Sequence, residues 1–159
     1  METTRASRPP RLLRTRWKHG PVPLTLCGAH VSVTEFTAGT RAHAAAVALA
    51  GLRLRRTWPT TPGALGMWLW ADLAGRRSGS VSVWRDDIAL KEFVGRPDHI
   101  ETVRAHRGRG ALRATSWALE DFEPDEVWTR AHALLTGAAP WPLIGTTPAL
   151  HTPVHLEEA

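Results

Sequence analysis

This chain of 159 residues has one cysteine, no tyrosine and no long apolar run. A single thiol, Cys27, permits no disulfide within the chain, so a reducing cytoplasm is the expected compartment. Without tyrosine there is no phenolic acid and no tyrosyl radical, which leaves acid–base work to His, Asp, Glu or Cys27. Nothing approaches the roughly twenty consecutive apolar residues of a membrane helix, and no apolar stretch follows the N-terminal arginines as a secretory signal requires. No Cys/His spacing suggests zinc, no glycine-rich loop follows a strand to cradle phosphate, and no nucleophile elbow is present. His151 and His155 stand four apart, but Pro153 between them forbids the helix that would pair them as metal ligands. No metal is expected.

The net charge of +5 is local. Arg5, Arg8, Arg11, Arg14, Arg16 and Lys18 face Glu2 alone, and from Pro21 onward fourteen bases meet fourteen acids. Nucleic acid is therefore not an expected partner of the folded part. Residues 1–20 read as a basic disordered tail, residues 21–136 as one domain, and residues 137–159 as a Pro/Thr-rich extension.

Hydrophobic periodicity supplies the elements. Leu24–Phe36 reads as a long strand in which Val31, Val33 and Glu35 alternate with His30, Ser32 and Thr34. Arg41–Arg56 is a helix with an apolar stripe through Ala44, Val47, Ala48, Gly51 and Leu52. Ala64–Leu73 and Ser80–Trp84 form a hairpin around Gly75–Gly79. Asp86 or Asp87 caps a short helix that Gly95 and Pro97 break, and Asp98 caps a second piece over His99–His106. Leu112–Leu119 returns as a strand, and Pro124–Leu135 is a last helix with Val127, Ala131 and Leu134 in register.

The order β-α-β-β-α-β is the ferredoxin-like arrangement, an α+β fold with a four-stranded antiparallel sheet and here an extra C-terminal helix. The string SVSVWRDDIALKEFV, followed by HIETVR, RG and SW, resembles the spheroidene-monooxygenase-like branch of the dimeric α/β-barrel superfamily. That resemblance implies a homodimeric barrel in which a second subunit covers the sheet face that lacks helices. The same pairing is expected from packing, because an apolar sheet face must be covered. The superfamily includes many small-molecule monooxygenases, and also cyclases, isomerases, dehydratases and decolorising peroxidases, so fold alone does not assign a reaction.

His99 is the first candidate for chemistry, because the family pattern places a histidine there. It would serve as the axial ligand of haem b, or as a base, unless it merely fastens its helix to the preceding loop. His106, two turns later, is the runner-up. Among Arg96, Arg104, Arg107, Arg109 and Arg113, only Arg96 and Arg107 are expected near a substrate carboxylate or haem propionates, the rest forming a solvated face. Trp68, Trp70, Trp84 and Trp117 lie at period-two positions on strands and, with Phe93, are expected to wall a lumen for a flat ring or polyene. The expected activity is a monooxygenase-like oxidation of a hydrophobic small molecule, either with haem or by direct reaction of a substrate carbanion with O₂. The alternatives are a non-redox cyclase or isomerase of a polyketide-like substrate, for which Asp72 or Glu120 would supply a lumen carboxylate, and a small-molecule-binding protein without turnover.

Overall fold

The computed structural model describes residues 9–24 and 28–142. Its strands are β1 (Leu13–Arg14), β2 (Lys18–His19), β3 (Ala29–Ala38), β4 (Ala64–Asp72), β5 (Arg77–Trp84) and β6 (Gly110–Leu119). Its helices are α1 (Arg41–Arg56), α2 (Asp87–Val94), α3 (Pro97–His106) and α4 (Pro124–Thr136). Cys27, the pair His151 and His155, the outer end of the N-terminal tail and most of the C-terminal extension lie outside the described residues.

The four long strands pair antiparallel in the order β4-β5-β3-β6, as the ferredoxin-like reading requires. Local chemistry sets the element ends. Thr40 caps α1 through its hydroxyl to the His43 amide, and Asp86 caps α2 through its carboxylate to the Ala89 amide. At α3 the expected cap moves. Pro97 has the fixed φ suited to a first helical position, so Arg96 becomes the cap residue and the Asp98 carboxylate instead accepts from the His99 amide and the Arg96 guanidinium. Gly137, at φ +79°, closes α4 in the left-handed conformation.

Two expectations are corrected here. The stretch expected to be a disordered tail is, from Leu12 onward, part of the sheet: β1 and β2 both pair antiparallel with β4. One of its basic residues finds aromatic partners. The Arg14 guanidinium lies 4.5 Å from the Trp128 ring centre and 5.3 Å from that of Trp68, a cation–π arrangement that charge counting does not reveal. Trp17 packs edge-on against Trp68 at 4.5 Å and stacks on Phe122 at 5.5 Å. Gly66 has no side chain because the Trp17 ring occupies the place of its Cβ. Deleting residues 1–20 should therefore cost about 3 kcal/mol, the order of losing a packed tryptophan, and lower the melting temperature by roughly 10 °C. A truncated chain that melts with the full-length protein would return this segment to the status of a tail.

The second correction concerns the sheet face expected to receive another subunit. Val31, Val33, Trp68, Trp70, Val81 and Val83 form that face, and Val127, Ala131 and Leu135 of α4 pack onto it in the same core. Leu12, Trp17 and Val22 complete the cover. Helix α4 thus does what a second sheet was expected to do. While it is seated, the face has no room for another copy.

Candidate active site

The two faces of the sheet differ sharply. The α4 side is a valine and tryptophan core, whereas the side under α1 carries hydroxyls at its centre. Ser82 on β5, Ser32 on β3 and Ser116 on β6 lie in register across three adjacent strands. One step along, the Thr34 hydroxyl meets the Ser80 hydroxyl at 3.0 Å and accepts from the Ser80 amide at 3.0 Å. Helix α1 lies over β3, β4 and β5, yet none of its sixteen residues is buried. Its apolar stripe is rotated from the expected one: Ala44, Val47 and Gly51 turn inward, whereas Leu52 is 47% exposed. Small side chains of α1 thus face a polar floor whose Ser32 and Ser82 are 7% and 5% exposed, at the position where a helix normally buries an apolar stripe.

A chain of two aromatic rings, Trp84 and Phe93, leads from this floor to His99. Trp84 donates its indole N–H to the Ser82 hydroxyl at 2.9 Å and packs on Phe93 at 4.9 Å. Phe93 packs on the His99 ring at 4.8 Å, and Trp58 backs both Trp84 and Phe93. The His99 Nδ1 lies 3.2 Å from the Val94 carbonyl oxygen. A carbonyl only accepts, so Nδ1 carries the proton and Nε2 keeps its lone pair. Burial lowers the His99 pKa below 6.5, an effect only partly offset by the Val94 carbonyl and by Asp98. His99 is thus neutral at pH 7, with an oriented ring and one basic nitrogen not engaged by any other described residue. It also fastens α3 to the end of α2, the structural role that the sequence leaves open for it.

Four of the expected site residues, Trp84, Phe93, Arg96 and His99, come together here, with the Arg96 guanidinium 5.9 Å from the Phe93 ring centre. The others do not join them. Trp68 and Trp70 lie on the opposite face, 4% and 2% exposed, as core rather than lumen walls. Trp117 also faces that side, beneath the Arg130 guanidinium at 4.2 Å. His106 ends α3 with its Nδ1 buried and unpartnered among the described residues, and Arg107 is exposed at the helix cap. Arg113, expected in solvent, pairs with the buried Glu35 and stacks on Trp141 at 4.0 Å. Asp72 is buried against Arg77, and Glu120 is exposed, so neither is the free lumen carboxylate that a cyclase was expected to use.

The serine floor was missed, although its signal is visible in VSVT on β3 and SVSV on β5, two neighbouring strands that each place hydroxyls on one face. His30 was also missed as a candidate. It lines an open crevice of about 400 Å³ beside Asp86 and Asp87, and burial lowers its pKa against the opposing pull of Asp87. A second cavity, of about 230 Å³, lies between β6 and α4 beside Trp117 and Arg130. Neither reaches His99. The free Nε2 of His99 is of the kind that serves as an axial ligand, and neither of these two crevices lies next to it. Among the described residues no three His, Cys, Asp or Glu side chains cluster to hold a metal, and no helix is long and apolar enough to cross a membrane.

No protein-family model matches the chain, and no curated protein matches it in sequence. Solved structures do share its fold. A Deinococcus radiodurans protein, provisionally assigned as an antibiotic biosynthesis monooxygenase, superimposes with a TM-score of 0.54 at 15% identity, over 59% of this chain and 95% of its own. Proteins from Fusobacterium nucleatum and Lactobacillus acidophilus, both provisionally assigned as monooxygenases, give TM-scores of 0.54 and 0.51 at 11% and 14% identity. Each match covers 67% of this chain and 48% of the other, so the aligned part is about half the length of those two proteins. At such identities the likeness establishes the fold, not the chemistry.

Proposed function

From a chain with the ferredoxin-like fold of these monooxygenase-related proteins, we propose a small-molecule monooxygenase acting on a hydrophobic, ring-bearing substrate that carries an acidic C–H beside a carbonyl or phenol. The substrate enters between α1 and the sheet. The observation that carries this reading is the row Ser82, Ser32 and Ser116, three hydroxyls in register on the α1 side of the sheet, the first two beneath a helix with no buried residue of its own. Such a row weakens a core and is suited to donating hydrogen bonds to an oxyanion. His99 Nε2 removes the C–H proton, the hydroxyls hold the resulting enolate or phenolate, and the carbanion combines with O₂ directly. One oxygen atom stays on the carbon as a carbonyl and the other leaves as water with the substrate's two hydrogens, so CH₂ and O₂ become C=O and H₂O. His106 is the reserve base. Every residue in this scheme comes from one chain, and the cytoplasm is the compartment proposed from the single cysteine of the sequence.

Ser32 is the site for the test. Its neighbours Thr34 and Ser82 are bonded to Ser80 and Trp84, whereas the Ser32 hydroxyl has no side-chain partner among the described residues. In Ser32→Ala, O₂ uptake with a hydroxylated anthrone as probe should fall by about a hundredfold, the order lost with one oxyanion donor. The melting temperature should stay within about 2 °C of the parent. Full turnover in Ser32→Ala would dispose of the serine floor as the site, and conversion of the probe without O₂ consumption would move the reading to the non-redox class.

A further inference from the structure

Independently of any reaction, the sheet has two unlike edges. The β4 edge is covered by β1 and β2 of the same chain. The β6 edge pairs with nothing among the described residues. It is also unusually regular: Gly110–Leu119 matches β3 over ten consecutive pairs without a bulge, and it contains neither proline nor lysine. These are the devices that normally protect a lone edge. Its helix-side residues stand open, with Leu112 57% exposed and Ser116 and Ala118 exposed beside it.

The charges at its ends select the occupant. Arg107 and Arg109 precede the strand, Glu120 and Asp121 follow it, and all four are exposed without an ion pair among the described residues. An antiparallel copy of the same strand inverts this order and brings the basic end opposite the acidic end, twice. Side chains facing each other across an antiparallel pair share a face, so the two-fold axis must pass through a residue. Centred on Thr115, the register places Leu112 opposite the partner's Ala118 and Arg109 opposite the partner's Asp121. We propose that β6 is a self-association edge, joining two copies of this chain into one continuous antiparallel sheet through an isologous β6–β6 pair. This leaves α4 seated and the opposite sheet face closed.

Sedimentation velocity on the full chain at tens of micromolar tests it. A dimer is expected that weakens as salt is raised. Arg109→Glu should raise its dissociation constant at least about tenfold, because two attractive cross-strand pairs become repulsive. Arg109→Glu combined with Asp121→Arg should restore it, and circular dichroism confirms that each exposed substitution leaves the fold intact. A full chain that stays monomeric at about 100 µM would overturn the proposal. So would a chain that dimerises only after removal of residues 143–159, since that segment would then be the occupant of the edge. A dimer indifferent to the charge reversal places the contact on another surface and equally overturns it.

Discussion

Replacing His99 with asparagine should abolish most turnover while leaving stability within about 1 kcal/mol of the parent. An asparagine side-chain N–H occupies nearly the position of imidazole Nδ1, so it can still donate to the Val94 carbonyl, as His99 does at 3.2 Å. It has nothing in the place of Nε2. Loss of a positioned general base lowers kcat/KM by about 10² to 10⁴. His99→Ala removes the Val94 bond and the Phe93 contact as well, and should cost a further 1–2 kcal/mol or so. A melt and an O₂-uptake assay on both variants separate the base from the fastener. Turnover that survives in His99→Asn assigns His99 to the fold alone.

The same residue sets a pH dependence with a definite sign. Burial holds the folded-state pKa of His99 below 6.5, and the same cause lowers that of His30. The unfolded chain therefore takes up protons first as pH falls. The stability owed to these neutral rings is complete above about pH 6.5 and is lost as pH drops through their folded values. Melting temperature should accordingly be flat from pH 7 to 8 and decline in acid, less steeply in His99→Asn than in the parent. kcat/KM should decline over the same acid range, because only the neutral imidazole can accept the proton. A rate that rises on acidification would be incompatible with His99 as base.

Arg77→Met should be the most destabilising single substitution among those considered. Arg77 donates to Asp72 Oδ2 from Nε and Nη2 at 3.1 and 3.0 Å, to Glu35 Oε2 at 3.0 Å, and to the Leu135 carbonyl at 2.9 Å. Glu35 and Asp72 are only 4% and 5% exposed. Removing the cation strands Asp72 and leaves Glu35 with Arg113 alone, which costs about 3–5 kcal/mol in comparable buried pairs. For a chain of this size that corresponds to roughly 10–15 °C in melting temperature. Neutralising both carboxylates as well, with Glu35→Gln and Asp72→Asn, should recover much of the loss. If Arg77→Met melts within a few degrees of the parent, the network does not hold the α4 end of the sheet.

How far each part of this protein was legible depended on the range of the interaction that forms it. Helix α1 matches its reading from Arg41 to Arg56, and Asp86, one of the two residues offered, caps α2. Caps, turns and alternation act over a few neighbouring residues, so their causes are written side by side in the chain. Strand order followed too, because β-α-β-β-α-β units leave few ways to close an antiparallel sheet. Phe93, Arg96 and His99 were readable as a group for the same reason: they fall within seven consecutive positions.

What the sequence concealed was which surface each face meets. Trp68 and Trp84 both sit on strands in alternating patterns, yet one lies under α4 and the other under α2. Periodicity gives two faces without saying which element covers either. The basic N-terminal segment looked solvated because charge counting treats arginine as a partner for water. Its place was decided by Trp68 and Trp128, more than fifty and one hundred residues away, which accept the Arg14 guanidinium on their rings. Arg113 read as a surface charge and Asp72 as a lumen carboxylate; with Glu35 and Arg77 they become one network around two buried carboxylates only once four strands align. The sequence alone determined the elements from β3 to α4, their order and the fold class, since those rest on local chemistry. Tertiary structure decided the seating of α4, the serine floor and the open β6 edge, because each depends on contacts between residues that the chain separates and only the packed sheet brings together.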